Sequence, residues 1–500
     1  MTPGPIERVV IVGGGTAGWM AAAAAARFLD DGQRRITLVE SEAIGTVGVG
    51  EATIPPILEF NRRLGIEEGE FVRATGATFK LGIEFAGWVN GGDRYFHPFG
   101  TLGRTFHGLH FHQVWLKLRN QPGIGGIADY SMAALAAACG RFAHPVSDPR
   151  SPLSGLDYAY HFDAALYAAF LRQRAEAEGV RRVEGRVVSV ERDGETGHVA
   201  ALRLEGDRRV EGDLFLDCSG FRSLLLGEAM GVPFESWAHW LPCDRAVTVP
   251  SARSDPPLPF TRATAHAPGW QWRIPLQHRT GNGLVYSSAH IEDDAAAALL
   301  LSQLDTATAA DPRLLRFSAG RRVRQWDGNV VALGLAGGFL EPLESTSIHL
   351  IQDGISKLFS LFPDRRFTSV ERNMFNRLMT ESYDGIRDFI ILHYHANARQ
   401  EPLWRHARAM TLPDRLAEKL ALFREKGRIF RYDGELFSIP SWVAVLLGQG
   451  CMPKGHDPIV DALDADRLYE AVRATRSVNI RAVEAMLGHA AVLTAMRNNG

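Results

Sequence analysis

Three groups of residues in this chain have chemistry to offer: a lysine between apolar neighbours, two acids ahead of a small polar run, and two tryptophans two positions apart. Lys80 lies in Phe79-Lys80-Leu81-Gly82, where the apolar flanks predict partial burial and desolvation disfavours a charge. Such a lysine serves as a nucleophile or as a hydrogen-bond donor of fixed aim; the competing reading is a lysine snorkelling from a strand edge. Glu341 and Glu344 stand in Glu341-Pro342-Leu343-Glu344-Ser345-Thr346-Ser347. This stretch reads as a loop into a helix over 348–362, so the amides of Thr346 and Ser347 are helix-start donors suited to a small anion. Glu344 reads equally as a functional carboxylate and as a first-turn acid, whereas Glu341 reads as a structural or surface contact. In Trp270-Gln271-Trp272-Arg273-Ile274-Pro275 the period of a strand puts both indoles on one face. They are core filler or a wall beside a flat ligand, and Pro275 ends regular pairing unless the strand lies at an edge.

These groups need elements to hold them. Residues 8–12 are a β-branched run that breaks into Gly13-Gly14-Gly15-Thr16-Ala17-Gly18, followed by a helix with alanines from Ala21 to Ala26 and a second strand, Ile36–Val39, ending at Glu40. Strand, glycine turn, helix, strand and acid is the order of a βαβ dinucleotide-binding unit. Gly13 makes the tight turn, Gly15 admits a pyrophosphate to the backbone, and Gly18 lets the helix pack closely. Thr16 and Ala17 complete the turn, and Glu40, 22 residues after Gly18, is placed to accept from ribose hydroxyls. Two later glycine-bearing strand ends, Asp217-Cys218-Ser219-Gly220 and Ala332 to Gly338 with Gly334, suit a long FAD better than NAD. No second fingerprint for NAD(P)H follows a strand, so the flavin is expected to be reduced by a partner.

Further along, residues 85–160 are rich in aromatics and histidines and read as an irregular insertion. A helix is expected over 163–178, strands over 185–191, 199–204 and 214–216, and mainly helix beyond Phe367, with breaks near Pro402, Pro413 and Pro440. The fold class is therefore α/β, an FAD-binding Rossmann-like domain of the flavin monooxygenase type with a mainly helical substrate module. The expected limits are 1–84 with 160–365 for the FAD domain, and 85–159 with 366–500 for the substrate module.

Composition narrows the partners. Five hundred residues with 46% hydrophobic content bury a large core, and a net charge of -2 offers nothing to attract nucleic acid. Four scattered cysteines argue against a disulfide framework or thiolate metal site and fit a reducing cytoplasm. The start of the chain lacks the layout of a signal peptide, and no apolar run approaches the ~18 residues of a membrane span. His97, His107, His110 and His112 match no metal-ligand spacing, so no metal is expected.

In combination, Gly13–Gly18, Val49-Gly50-Glu51-Ala52-Thr53-Ile54-Pro55, Lys80, Trp270-x-Trp272-x-Ile274-Pro275 and Glu341-Pro342-Leu343-Glu344-Ser345-Thr346 resemble the flavin-dependent tryptophan halogenase family. Tyr158–Asp163 and Arg387-Asp388-Phe389 are similar too, with order preserved from residue 8 to about 405. The resemblance implies an enzyme that takes reduced FAD from a separate NAD(P)H flavin reductase and, with dioxygen and bromide or chloride, makes hypohalous acid. It implies halide near Thr346 and Ser347, Val49 and Ala52 against the flavin, and an internal tunnel past Trp270, Trp272, Ile274 and Pro275 to Lys80. It implies that Lys80 forms a haloamine or directs the electrophile, that Glu344 orients it or accepts the arene proton, and that His97, Phe99 and Trp442 contact the aromatic substrate. Two departures stand out. Ser347 replaces a glycine common in the family, and the segment Glu435–Ala444 lacks the paired tyrosines that grip free tryptophan. The expectation is therefore free indole or a small derivative, with tryptophan as the alternative and aromatic hydroxylation by a flavin monooxygenase behind it. A homodimer stays open.

Overall fold

In the computed structural model, residues 4–29, 31–43, 50–308 and 310–498 are described; Val49 lies outside them. The chain forms two compact units. The first comprises residues 1–76, 162–242 and 317–384, the second residues 77–161, 243–316 and 385–500.

The first unit is built on a sheet whose strands run, edge to edge, Trp326–Asp327, Val330–Ala332, Leu214–Asp217, Arg8–Val12, Arg35–Glu40 and Arg181–Glu184. All neighbours are parallel except the first pair. Parallel strands are covered on both faces, which is why Val9–Val12 and Leu214–Leu216 are unbroken apolar runs and are buried throughout. The helix Thr16–Leu29 buries every alanine from 21 to 26, the small side chains permitting a close approach to the sheet. Val10, Val12, Phe215, Leu225 and Val330 form the centre of a core that also takes in Leu202 and Leu204 of a small antiparallel sheet. The helix foreseen over 163–178 spans Ala164–Ala177, and the Asp163 carboxylate accepts from the amides of Ala165 and Leu166 at its start.

The second unit carries a seven-stranded sheet ordered Arg313–Arg316, Arg245–Ala252, Arg279–Tyr286, Gly269–Pro275, Thr261–His266, Gly82–Ala86 and Arg94–Pro98. Its pairs are antiparallel save the one between Thr261–His266 and Gly82–Ala86. The tryptophan strand is therefore central rather than at an edge. Pro275 is its last residue, where a missing N–H costs the ladder nothing. Helices follow at Pro402–Ala409, Asp414–Lys426, Ile439–Gly448, Ala465–Glu484 and His489–Asn498. Pro402, Pro413 and Pro440 stand at helix starts, where a fixed φ is tolerated.

The limits of the units differ from the sequence expectation. Residues 243–316 and 77–84 belong with the second unit and 366–384 with the first; the strand Thr261–His266 pairs with Gly82–Ala86, which in turn pairs with Arg94–Pro98, a non-local pairing that no local pattern announces. The stretch 85–160, expected to be irregular, holds Arg94–Pro98 and the helices Phe111–Leu118 and Met132–Ala138.

Candidate active site

In the first unit, the strands that end in glycine turns are neighbours: Arg8–Val12 lies beside Leu214–Asp217, which lies beside Val330–Ala332. Parallel strands put all three turns at one edge of the sheet, where open α/β folds hold cofactors. Gly13 has φ +114°, and a Cβ there would come 2.3 Å from the Cys218 carbonyl oxygen. A Cβ on Gly18 would come 1.8 Å from the Gly13 oxygen, while one on Gly15 would meet nothing within 4 Å. The first and third glycines are thus demanded by packing, and the second faces the open space that a pyrophosphate needs. Gly334, at φ +64°, brings its α-carbon close to Ala17 and Ile351, so the third turn abuts the start of the first helix. The residues fit a dinucleotide.

Glu40 lies over the turn, for its carboxylate occupies the place of a Gly14 Cβ. Arg182 Nε donates to Glu40 Oε1 at 2.5 Å, an orienting contact that the sequence did not signal because Arg182 lies on a strand 142 residues away. The role of the Asp217 carboxylate was also missed. Buried at the second turn, it accepts from Ser219 Oγ and from the amides of Ser219, Leu225 and Leu226, and burial pushes its carboxyl above the ordinary value. Gly338 has a packing reason of its own, since a Cβ there would lie 2.8 Å from the Gly320 oxygen of the paired strand. Ala52 is buried on the short strand Gly50–Ala52.

The anion-site candidates fall in the same unit. Pro342–Glu344 make one tight turn, Ser345 takes a left-handed conformation at φ +59°, and Thr346 immediately precedes the helix Ser347–Ser360. The N–H groups of Thr346 and Ser347 therefore lead the helix with no acceptor inside it. Glu341 and Glu344 are both fully buried, so Glu341 is not a surface contact.

The second unit holds the remaining candidates. Lys80 is 0% exposed, which removes the snorkelling alternative. Its strand, Thr78–Lys80, pairs with Ala159–His161 of the family-like Tyr158–Asp163 segment. Its Nζ stands 5.1 Å from the centroid of Phe99, and the Phe99 amide donates to the Leu81 carbonyl at 2.9 Å. His97, two residues before, lies 5.6 Å from the Phe389 ring. Phe389 stacks on Phe437 at 3.8 Å and meets Trp442 edge-on at 4.8 Å. Phe389 and Phe437 thus link His97 to Trp442. Spacing alone could not have joined them, because 292 residues separate His97 from Phe389 and a further 48 separate Phe389 from Phe437.

Lys419 Nζ lies 4.5 Å from the Trp442 ring and donates to both Glu435 carboxylate oxygens at 2.9 and 3.0 Å. Trp270 and Trp272 are both buried, 6.0 Å apart. Trp270 adjoins Trp88 at 6.3 Å, and the Trp272 indole lies across Gly283, where a Cβ would fall 2.0 Å from it. Ile274 is buried on the same face, and the Pro275 carbonyl accepts from Thr78 Oγ1 at 2.7 Å, joining the end of this strand to the strand of Lys80.

The sequence model of the family described as tryptophan halogenase matches residues 8–465. The chain belongs to the flavin-dependent tryptophan halogenase family. The structure of BrvH, a flavin-dependent halogenase from Brevundimonas sp. BAL3, superposes with a TM-score of 0.95 at 47% identity, covering 98% of this chain and 99% of that one. Tryptophan 7-halogenase RebH of Lentzea aerocolonigenes is 38% identical over 517 residues, 95% of this chain and 94% of the relative. Tryptophan 6-halogenase SttH of Streptomyces toxytricini is 36% identical over 506 residues, 93% of this chain and 94% of the relative. The family brings flavin dependence and oxidoreductase chemistry with it. Among the described residues of this halogenase no helix is long and apolar enough to cross a membrane, and no group of three or more metal-ligating side chains is gathered.

Proposed function

We propose that this chain halogenates the ring of an indole-type arene with hypohalous acid made from bromide or chloride, dioxygen and reduced FAD, the FAD being reduced by a separate NAD(P)H flavin reductase. Bound FAD supplies the two-electron activation of dioxygen that oxidises the halide. The amides of the turn from Gly13 to Gly18 hold its pyrophosphate, Glu40 accepts from the ribose, and Gly334 keeps the backbone low beside it. The forward-facing amides of Thr346 and Ser347 hold the halide. Lys80 binds the electrophile or aims it by a hydrogen bond, and Glu344 orients it or takes the proton released by the arene. His97, Phe99 and Trp442 flank the ring, while Trp270, Trp272, Ile274 and Pro275 wall off the approach so that only the small oxidant passes. A dry site supports this division, since an electrophilic halogen then meets few competing nucleophiles.

The observation that carries this reading is the complete burial of Lys80 against Phe99. A lysine contributing only solubility would not be kept there at the desolvation cost of several kcal/mol that burial of an ammonium carries.

The kinship with the tryptophan halogenases RebH and SttH favours tryptophan as the substrate. A specific observation supports free indole as the second reading. Glu435, the one acid between residues 435 and 444, is engaged by Lys419, and leaving an amino group unmatched on burial is costly. Incubation with FAD, flavin reductase, NADH and bromide or chloride, with tryptophan and indole in competition, decides both points. Halogenated product that persists undiminished in Lys80→Ala overturns the role of Lys80, and hydroxylated product formed without halide overturns the reaction.

A further inference from the structure

The strand that carries Lys80 is gripped by two histidines whose hydrogen bonds fix their protonation. The single proton of Thr78 Oγ1 goes to the Pro275 carbonyl at 2.7 Å. Thr78 can therefore only accept from His161, whose Nδ1 lies 3.0 Å away, and His161 Nε2 is left to accept from Thr261 Oγ1 at 2.9 Å. On the next residue the Phe79 amide donates to His489 Nε2 at 3.1 Å, and His489 Nδ1 donates to the Pro257 carbonyl at 2.9 Å. Both rings are thus uncharged with the proton on Nδ1. Burial acts in the same direction, holding His489 down to about 4 and His161 well below the ordinary histidine value.

His489 comes from a part of the chain beyond the 8–465 span of the family match. It opens the helix His489–Asn498, and the chain just before it is anchored by pairing of Leu487 and Gly488 with Phe142 and Arg141. Its own amide donates to Gly140 at 2.9 Å. Phe142 in turn stacks on Phe79 at 4.0 Å and 11°. The neighbouring stretch, Pro256-Pro257-Leu258-Pro259, is rich in prolines and so offers the strand mainly acceptors, and Leu81 donates to Pro259 at 2.8 Å. Phe79 and Leu81, on either side of Lys80, thus donate to acceptors of fixed sense, and His489 both accepts from Phe79 and donates to Pro257.

We infer that His489 is a positioning residue for Lys80, and that the C-terminal segment around it is a buttress of the halogenating site rather than a trailing helix. The inference rests on the proposed role of Lys80. A break in the Phe79 N–H···Nε2 bond frees the strand one residue before the lysine, and the electrophile then escapes before it meets the arene.

The test uses the full chain with His489→Leu, which removes both hydrogen bonds at similar volume, and His489→Gln, whose side-chain carbonyl can still accept from Phe79. Three quantities are read: flavin binding, halogenated arene, and escaped hypohalous acid captured by an excess of a 1,3-diketone. His489→Leu is expected to lower the halogenated arene at least 10-fold while arene plus captured acid stays within twofold of the parent, and His489→Gln is expected to return within threefold of it. Equal arene yield in parent and His489→Leu overturns the inference, as does a folded, flavin-binding His489→Gln no better than His489→Leu. If the parent itself makes no halogenated arene, the proposed function falls separately. Peptide-resolved hydrogen exchange at residues 78–81 then decides, and unchanged exchange in His489→Leu overturns the inference on its own.

Discussion

The two units reach their sites by opposite routes. In the first, the cofactor candidates come from strand ends of one parallel sheet, and the rules are local: a turn, a glycine, the start of a helix. In the second, Lys80, His97, Phe99, Phe389, Phe437 and Trp442 are gathered from three distant stretches of chain by sheet pairing and aromatic packing. A site of the first kind tolerates change in its surroundings but not in its glycines. One of the second kind depends on contacts far from the reacting atoms, such as Lys419 beneath Trp442 and His489 behind Phe79.

The largest effect expected from breaking this contrast is at Lys80. Lys80→Ala lowers halogenated arene roughly 10³-fold, within the range of a lost proton-handling or directing group, and leaves FAD affinity unchanged in a fluorescence titration. Weakened FAD binding would mean that the second unit supports the cofactor site as well. The converse experiment is Gly18→Ala, whose Cβ would sit 1.8 Å from the Gly13 oxygen. It is expected to cost roughly 3 kcal/mol or more in urea unfolding and to abolish FAD binding.

Acid probes the second unit next. His489 and His112 are buried neutral, each held down to about 4 from 6.5 chiefly by desolvation. Between those values the unfolded chain binds the protons and the folded chain refuses them. Stability is therefore complete above about pH 6.5 and falls as the pH drops toward 4, by about 3 kcal/mol per ring. Both rings lie in the second unit, so tryptophan fluorescence of unfolding at pH 7 and pH 5 should show the loss, and His489→Gln should shrink it. Lys419→Met is milder, roughly 2 kcal/mol, because Glu435 loses its partner but keeps some access to water. It should raise KM for the arene while FAD affinity holds. Ser345→Gly is smallest. Relief of roughly 1 kcal/mol of left-handed strain is nearly offset by the added freedom of glycine in the unfolded chain, so Tm should barely move, whereas Ser345→Val should lower it.

The unequal legibility of the two sites has the same cause. Gly13, Gly15 and Gly18 could be read because their spacing in one turn between strand and helix is itself the signal, and Glu40 because strand, helix and strand have a set length. The roles of Arg182 and of the Asp217 carboxylate escaped notice: an orienting arginine or a buried cap has no spacing rule, only a place in the sheet. Lys80 was legible as a chemical candidate from its apolar flanks, but whether it snorkelled or was buried turned on the strand paired with it. The tryptophan strand could be read as a strand, yet not as a central one, since its partners Thr261–His266 and Arg279–Tyr286 announce themselves only by pairing. The unit limits failed for that reason as well.

By itself the sequence determined the βαβ cofactor unit, the helix start at Thr346 and Ser347, and the identity of the lysine and the indoles, because these follow from backbone conformation and side-chain period over short spans. Tertiary structure alone decided that Lys80 is buried against Phe99, that Phe389 and Phe437 join His97 to Trp442, and that His489 reaches back to Phe79. Those contacts arise from burying aromatic surface and satisfying main-chain donors across hundreds of residues. The energy that selects them belongs to the packed whole and not to any window of the chain.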